Sequence, residues 1–292
     1  MHKCAAVTVA FQHITFGLLL FASMLSNSAV PITIAVSNYH PYNNEQGQGL
    51  VSDLYRAAFA EVDQPITIIT TPIRRGVSML LNGQIDALSS GNMFAQGAQR
   101  ELITWTPTFK VTMASFFLKP GPHAPHPLTS LSDLRDYRVG SVVNSTALDL
   151  YALHNIEATQ LQTPDQLLHM TQRSRLDYFN VTLLSGLLLI DKHYPDSWQQ
   201  FDQHPWYTDD PGLSFLRGDT KALKLKARYE IGLAKIKENG RYLQILEAYW
   251  GKGNVPKLAL PVELQPYGVD RIDPSRFHAR NRDSSGKLIE TP

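Results

Sequence analysis

With 292 residues, 43% of them hydrophobic and 18% charged, the chain has material for one or two domains with substantial cores. Lysine and arginine number 27 against 26 aspartates and glutamates, a net charge of +1, and the longest basic run is Arg74-Arg75. Such a balance leaves no electrostatic footprint for nucleic acid or an anionic membrane, so any binding preference has to lie in a pocket.

The N-terminus reads as a secretory signal. His2 and Lys3 precede an apolar stretch at 14–25 (ITFGLLLFASML), the length of a signal-peptide core and not of a membrane span. Small residues for cleavage follow at Ser26, Asn27, Ser28 and Ala29. The other reading is an uncleaved N-terminal anchor. Cys4, the only cysteine, lies upstream of the apolar core, where a lipoprotein cysteine would not. Once the signal is removed, disulfides, thiol nucleophiles and thiolate metal sites are all excluded.

A first strand is expected at 31–36 (PITIAV), then a polar loop carrying Tyr39, His40, Pro41 and Tyr42. A helix follows at 49–59 with Leu50, Leu54, Ala58 and Val62 on one stripe. Further elements are a strand at 66–71, a helix at 72–82 ended by Gly83, and a strand at 85–89 turning at Ser90-Gly91. This alternation is the pattern of a parallel α/β sheet. Another strand at 111–119 runs into the breaker-rich KPGPHAPHP, after which the pattern restarts. Short helices are expected at 131–134, 147–153 and 165–171, strands at 137–143 and 177–181, and a helix at 182–194. A second breaker passage contains His204-Pro205 and Asp210-Pro211-Gly212, and a strand at 213–216 follows it. Leu223, Ala227, Ile231 and Ala234 then mark a long helix closed at Asn239-Gly240, and Tyr242, Ile245, Leu246 and Tyr249 share a face of a shorter one.

The chain thus leaves one α/β unit near Lys119 and returns near Pro211. Two crossings imply two hinge strands between two lobes, with a cleft at the strand ends. Lobe one comprises 30–118 plus 212–255 and lobe two 119–211. The polar tail 256–292 is either an arm lying on the lobes or partly disordered.

The stretch KENGRYLQILEAYWG at 237–251 resembles the C-terminal signature of the family 3 periplasmic solute-binding proteins, the polar amino-acid receptors of ABC importers. NGQIDALSSG at 82–91, SGNMFAQGAQRE at 90–101 and DLRDYRVGSVVNST at 133–146 resemble further segments of that family, in the same order. The resemblance covers about 32–251. It implies an α/β, type II-like two-lobe fold, a periplasmic monomer released from signal 1–29, and capture of a small solute for an ABC permease or a membrane sensor.

The resemblance also implies site residues. Arg100 matches the family's carboxylate-binding arginine, and a guanidinium fork suits that task. Gly91 and Met93 precede it in a loop longer than usual, where Asn92-Met93 replace a customary hydroxyl. Thr146 opens a helix in lobe two, and Asn180 and Thr182 lie on or just after a lobe-two strand. Tyr39 and Tyr42 follow the first strand, where open α/β sheets bind ligands, and supply an aromatic wall. Plainer roles exist for each: a surface arginine, a helix cap, packing at the lobe edge. Thr182 occupies the position of the aspartate that accepts the ammonium in amino-acid binders. A buried ammonium there would lack a countercharge, so the expected ligand is a carboxylate or polar neutral solute.

No nucleophile elbow, metalloprotease helix, phosphate loop or dinucleotide fingerprint occurs, so an enzyme is not expected. The alternative is a dehydratase-like activity on small acids, as in a few relatives with this fold, using Glu45 or Glu101. His123 and His126 flank Pro125 without an acidic or thiol neighbour, so neither metal nor cofactor is expected. Arg74 and Arg75 either face the cleft or stand in solvent.

Overall fold

A computed structural model describes residues 30–119, 128–143, 145–194, 197–273 and 276–277. The signal segment with Cys4, and His123 and His126, lie outside the described residues.

From the N-terminus, β1 (Ile32–Val36), α1 (Leu50–Ala60), β2 (Ile66–Thr70), α2 (Ile73–Leu81) and β3 (Ala87–Ser89) alternate strand and helix. Two one-turn helices, α3 (Gly91–Phe94) and α4 (Ala98–Glu101), lead to β4 (Ile103–Pro107) and β5 (Val111–Leu118). Then come β6 (Val139–Val142), α5 (Ala147–Leu153), β7 (Ala158–Leu161), α6 (Pro164–Gln172), β8 (Tyr178–Thr182), α7 (Leu183–His193) and β9 (Phe201–Asp209). The chain returns through β10 (Gly212–Leu216), α8 (Thr220–Glu238) and α9 (Arg241–Trp250).

These strands form two five-stranded sheets, ordered β2-β1-β3-β10-β4 and β7-β6-β8-β5-β9. In each, four strands point the same way and one strand next to the crossing, β10 or β5, runs antiparallel to its two neighbours. β5 pairs with β8 and β9 and so belongs wholly to the second sheet. The chain therefore crosses at 108–110, before β5, and not near Lys119. The return crossing is at 210–211, and the two connections are tied together: the Thr108 N–H donates to the Pro211 carbonyl at 3.1 Å, and Lys110 pairs with Asp210 at 2.7 Å.

β9 contains Pro205, which a central strand would reject. It lies at the sheet edge, and its pairing with β5 slips between Met113 and Ala114, so the missing N–H breaks no essential ladder bond. In lobe two, α7 is buried from Leu183 through Asp191, consistent with its run of leucines.

α8 packs along α1 and α9 contacts both, so the last two helices complete lobe one. The buried stripe of α8 is Ala222, Leu225, Tyr229, Gly232, Leu233 and Ile236. This corrects the expected stripe, because Leu223 and Ile231 are exposed at 45% and 55%. Apolar residues at helical spacing occupy both faces, and the packed face is the one where Gly232 admits α1. A Cβ at Gly232 would meet the Ala58 carbonyl oxygen at 1.9 Å. Gly232→Ala is therefore expected to force the helices apart and cost about 1–3 kcal/mol, read as a lower urea midpoint. An unchanged midpoint would show that the two helices separate freely.

After α9 the chain does not leave the body. Val255, Ala259, Leu260 and Leu264 are buried, and Lys237 pairs with Glu263 at 2.7 Å. Phe277 packs against both Trp250 in lobe one and Trp198 in lobe two, with ring centroids 6.1 and 5.7 Å apart. Residues 255–273 and 276–277 thus lie across the back of both lobes.

Candidate functional site

The carboxyl ends of β1, β2 and β3 in one lobe face those of β6 and β8 in the other across a cavity of about 590 Å³. This is where side chains at strand ends of an open α/β sheet are free of ladder packing and available to a ligand.

Each wall is fixed by its own hydrogen bonds. Tyr39 and Asn43 exchange backbone bonds at 2.9 and 3.0 Å, closing a tight loop after β1. That loop presents Tyr39 and Tyr42 side by side, stacked with 5.7 Å between centroids and 8° between planes. Phe109, from the crossing, continues the wall 5.9 Å from Tyr42. On the opposite side of lobe one, Asn92 stitches α3 to β10: its N–H donates to Ser214 Oγ and its Oδ1 accepts from the Gly212 N–H. Asn92 thereby aims Met93 and Phe94 at the cavity. Ser90, with φ 58°, holds a left-handed conformation unusual for a non-glycine residue and also lines it.

Lobe two contributes Ser145, Thr146, Asn180, Val181 and Thr182. Hydrogen bonds join the Tyr39 and Tyr42 hydroxyls to Thr182. Thr182 Oγ1 donates to Ser185 Oγ at 2.7 Å, and Ser185 Oγ donates to the His40 carbonyl at 2.8 Å. Thr182 and Ser185 therefore latch lobe two to the tyrosine loop of lobe one. Burial pushes both phenols above the usual tyrosine range, so they stay protonated across physiological pH.

Of the residues singled out from sequence, Tyr39, Tyr42, Met93, Thr146, Asn180 and Thr182 come together in this cavity. Gly91 does not line it; it lies against Leu88 and Ser214. Arg100 is not brought in either. α4 follows Gly97 and turns Arg100 into solvent, on the wall of a wider neighbouring depression shared with Thr146, Trp206, Tyr207 and Asp209. Arg74 and Arg75 are exposed and outside both. Among the described residues the cavity wall carries no lysine, arginine or histidine, and its charged members are Glu45 and Asp209. Glu101, on α4, is exposed and does not line it.

Asp209, Phe109 and Ser185 were not singled out for the site. The Asp209-Asp210-Pro211-Gly212 run carries only a turn signal, yet it puts Asp209 on the floor of the cleft beside Pro211. Partial burial, and then the neighbouring Asp210, hold the Asp209 carboxyl above its ordinary range.

No protein-family model matches the sequence, and no curated protein matches it either. Solved structures do match in fold. The GluR0 ligand-binding core in complex with L-glutamate aligns with a TM-score of 0.62 and 16% identity, over 77% of this chain and 100% of that one. A histidine kinase sensor domain with similarity to periplasmic binding proteins aligns with a TM-score of 0.60 and 21% identity, over 77% and 98%. A substrate-binding protein of an ABC uptake transporter from Streptococcus pneumoniae, with bound histidine, aligns at 0.58 and 16%, over 79% and 95%. The chain has the two-lobe fold of the periplasmic binding proteins.

Proposed function

We propose that this chain is a divergent relative of the family 3 solute-binding proteins that captures a small polar solute between its lobes in the periplasm. The observation that carries the reading is the cavity itself, walled by both lobes at the strand ends and floored by the two crossings. A ligand there touches both lobes, so its affinity for the closed form exceeds that for the open one and shifts the population toward closure. The signal-like segment at 14–25 supports export. Among the described residues no helix is long and apolar enough to cross a membrane. The closed form would be read by an ABC permease or a membrane sensor, and the structural neighbours include a protein of each kind.

The reading is of binding without turnover. A carboxylate solute would meet no cation on the cavity wall among the described residues. That disfavours the carboxylate branch of the sequence expectation.

A thermal-shift screen of the mature protein against small polar metabolites tests this. A ligand at about 100 times its Kd stabilises by about 2.7 kcal/mol, which raises Tm by about 5–10 °C in a protein of this size. Small-angle scattering with that ligand should report a more compact particle. A broad panel with no shift and no compaction overturns the reading.

A further inference from the structure

The cavity's polar inventory is one-sided. Two carboxylates line it and no cationic side chain does, among the described residues. Its aromatic wall is rich in π-faces, from Tyr39, Tyr42 and Phe109. The hinge aspartates are not equivalent. Asp210 is engaged by Lys110 at 2.7 Å, whereas Asp209 makes no ion pair or side-chain hydrogen bond among the described residues. Arg100, the cation that shares the wider depression with Asp209, makes no ion pair with it.

Asn180 adds an independent signal. It is 1% exposed, it lines the cavity, and its Nδ2 has no hydrogen-bond partner among the described residues. Its orientation is set from behind. Trp206 Nε1–H donates to Ser115 Oγ, so the Ser115 proton is free to go to Asn180 Oδ1. Turning the amide over would leave that serine proton without an acceptor. A buried amide N–H₂ without a partner costs about 1–3 kcal/mol, and a ligand acceptor would remove that cost once the groups that enclose Nδ2 in this form move aside.

We propose that the cleft selects a small organic cation, whose ammonium or guanidinium is held by the Asp209 carboxylate against the tyrosine wall while a carbonyl or hydroxyl on the ligand accepts from Asn180. This deepens the solute-binding reading and rests on it. It also names a countercharge that the Thr182 position lacks. Cation and aromatic face attract through the ring quadrupole, most strongly where water is displaced, and the carboxylate supplies a charge-assisted bond. A free carboxylate on the ligand would be desolvated against Glu45 and Asp209 with nothing to pair it.

The test compares one scaffold in four charge states: leucine and phenylalanine as zwitterions, their primary amides as cations, the N-acetyl amides as neutral species and the N-acetyl acids as anions. Choline and agmatine serve as further cationic probes. Calorimetry on the mature protein should find cations about tenfold or more tighter than the zwitterion and the neutral amide. Asp209→Asn should remove that advantage by about tenfold, the effect expected of one half-buried charge pair. Asp210→Asn and Arg100→Ala should leave it unchanged, and circular dichroism checks that each variant folds. Equal binding of the neutral amide, preference for the anion, or an Asp209→Asn variant with full cation affinity overturns the inference. So does silence from every cationic probe. Neutral or anionic solutes that bind and compact the protein would leave the solute-binding reading standing while this one falls.

Discussion

A chain ending at Asn254 is expected to melt more than about 10 °C below the full-length mature protein. Such a truncation removes Val255, Leu260, Leu264 and Phe277, which are exposed at 2%, 0%, 9% and 6% in the folded chain. Burying a side chain of this size contributes about 1.5–3 kcal/mol. Losing four of them is large against a typical total stability of about 5–15 kcal/mol, and each kcal/mol moves Tm by about 2–4 °C at this chain length. The truncation also uncovers Trp250 and Trp198, the aromatic partners of Phe277 on the two lobes. The arm is therefore a clamp on the hinge side as well as a piece of core. Calorimetry supplies the melting temperature, and tryptophan emission shifted to the red reports the uncovered rings. A truncated chain that melts within about 2 °C of the full one would show that the arm adds nothing. Leu260→Ala in the intact chain provides a milder check, with about 2–5 kcal/mol expected.

That arm illustrates what a linear reading resolves. Its sequence is polar and proline-containing with weak periodicity, because 3-10 segments such as Val262–Tyr267 bury a single residue, here Leu264, and leave no helical stripe. Strands that are central and buried, such as β1 and β8, are legible from their β-branched and aromatic letters. The two edge strands of the second sheet are not. β7 reads ATQL with two exposed central residues, and β9 carries a proline, so neither shows the alternation of a half-buried strand. The lobe crossing was misplaced for a related reason. The breakers after Lys119 are the loudest punctuation in the chain, whereas the real crossing at 108–110 is a short link between two strands of opposite sheets.

The cleft divides the same way. Tyr39 follows from its position after a strand end, where loops converge in such folds, whereas Thr146 and Thr182 follow from the family resemblance. What they touch is set by pairs far apart in sequence: Ser185 meets the His40 carbonyl across 145 residues. No periodicity encodes that contact. Arg100 shows the converse, a matching letter whose helix start turned it outward. Asp209 lay hidden inside a turn signal, because a turn residue and a charged floor residue look alike until the second lobe is present.

Tyr42 is where stability and recognition meet, so its two substitutions should separate. The side chain is 6% exposed, stacked on Tyr39 and tilted against Phe109, and its hydroxyl bonds to Thr182 in the other lobe. Tyr42→Phe keeps the ring and removes the bond. A neutral hydrogen bond is worth about 0.5–1.5 kcal/mol net, so solute affinity should fall by about two- to tenfold while Tm changes little. Tyr42→Ala also removes the ring. A large aromatic truncated in a packed site costs about 3–5 kcal/mol, and the cavity loses the middle of its wall, so binding should disappear and Tm fall by about 6 °C or more. Because a destabilised variant could fail to bind for trivial reasons, the phenylalanine variant carries the functional half of the argument. Scattering should show its unliganded form more open on average, since one of the bonds holding lobe two to the tyrosine loop is gone. A phenylalanine variant with unchanged affinity and unchanged compactness would mean that the Tyr42–Thr182 bond does not contribute to closure, and the latch would then rest on Ser185 and Tyr39 alone.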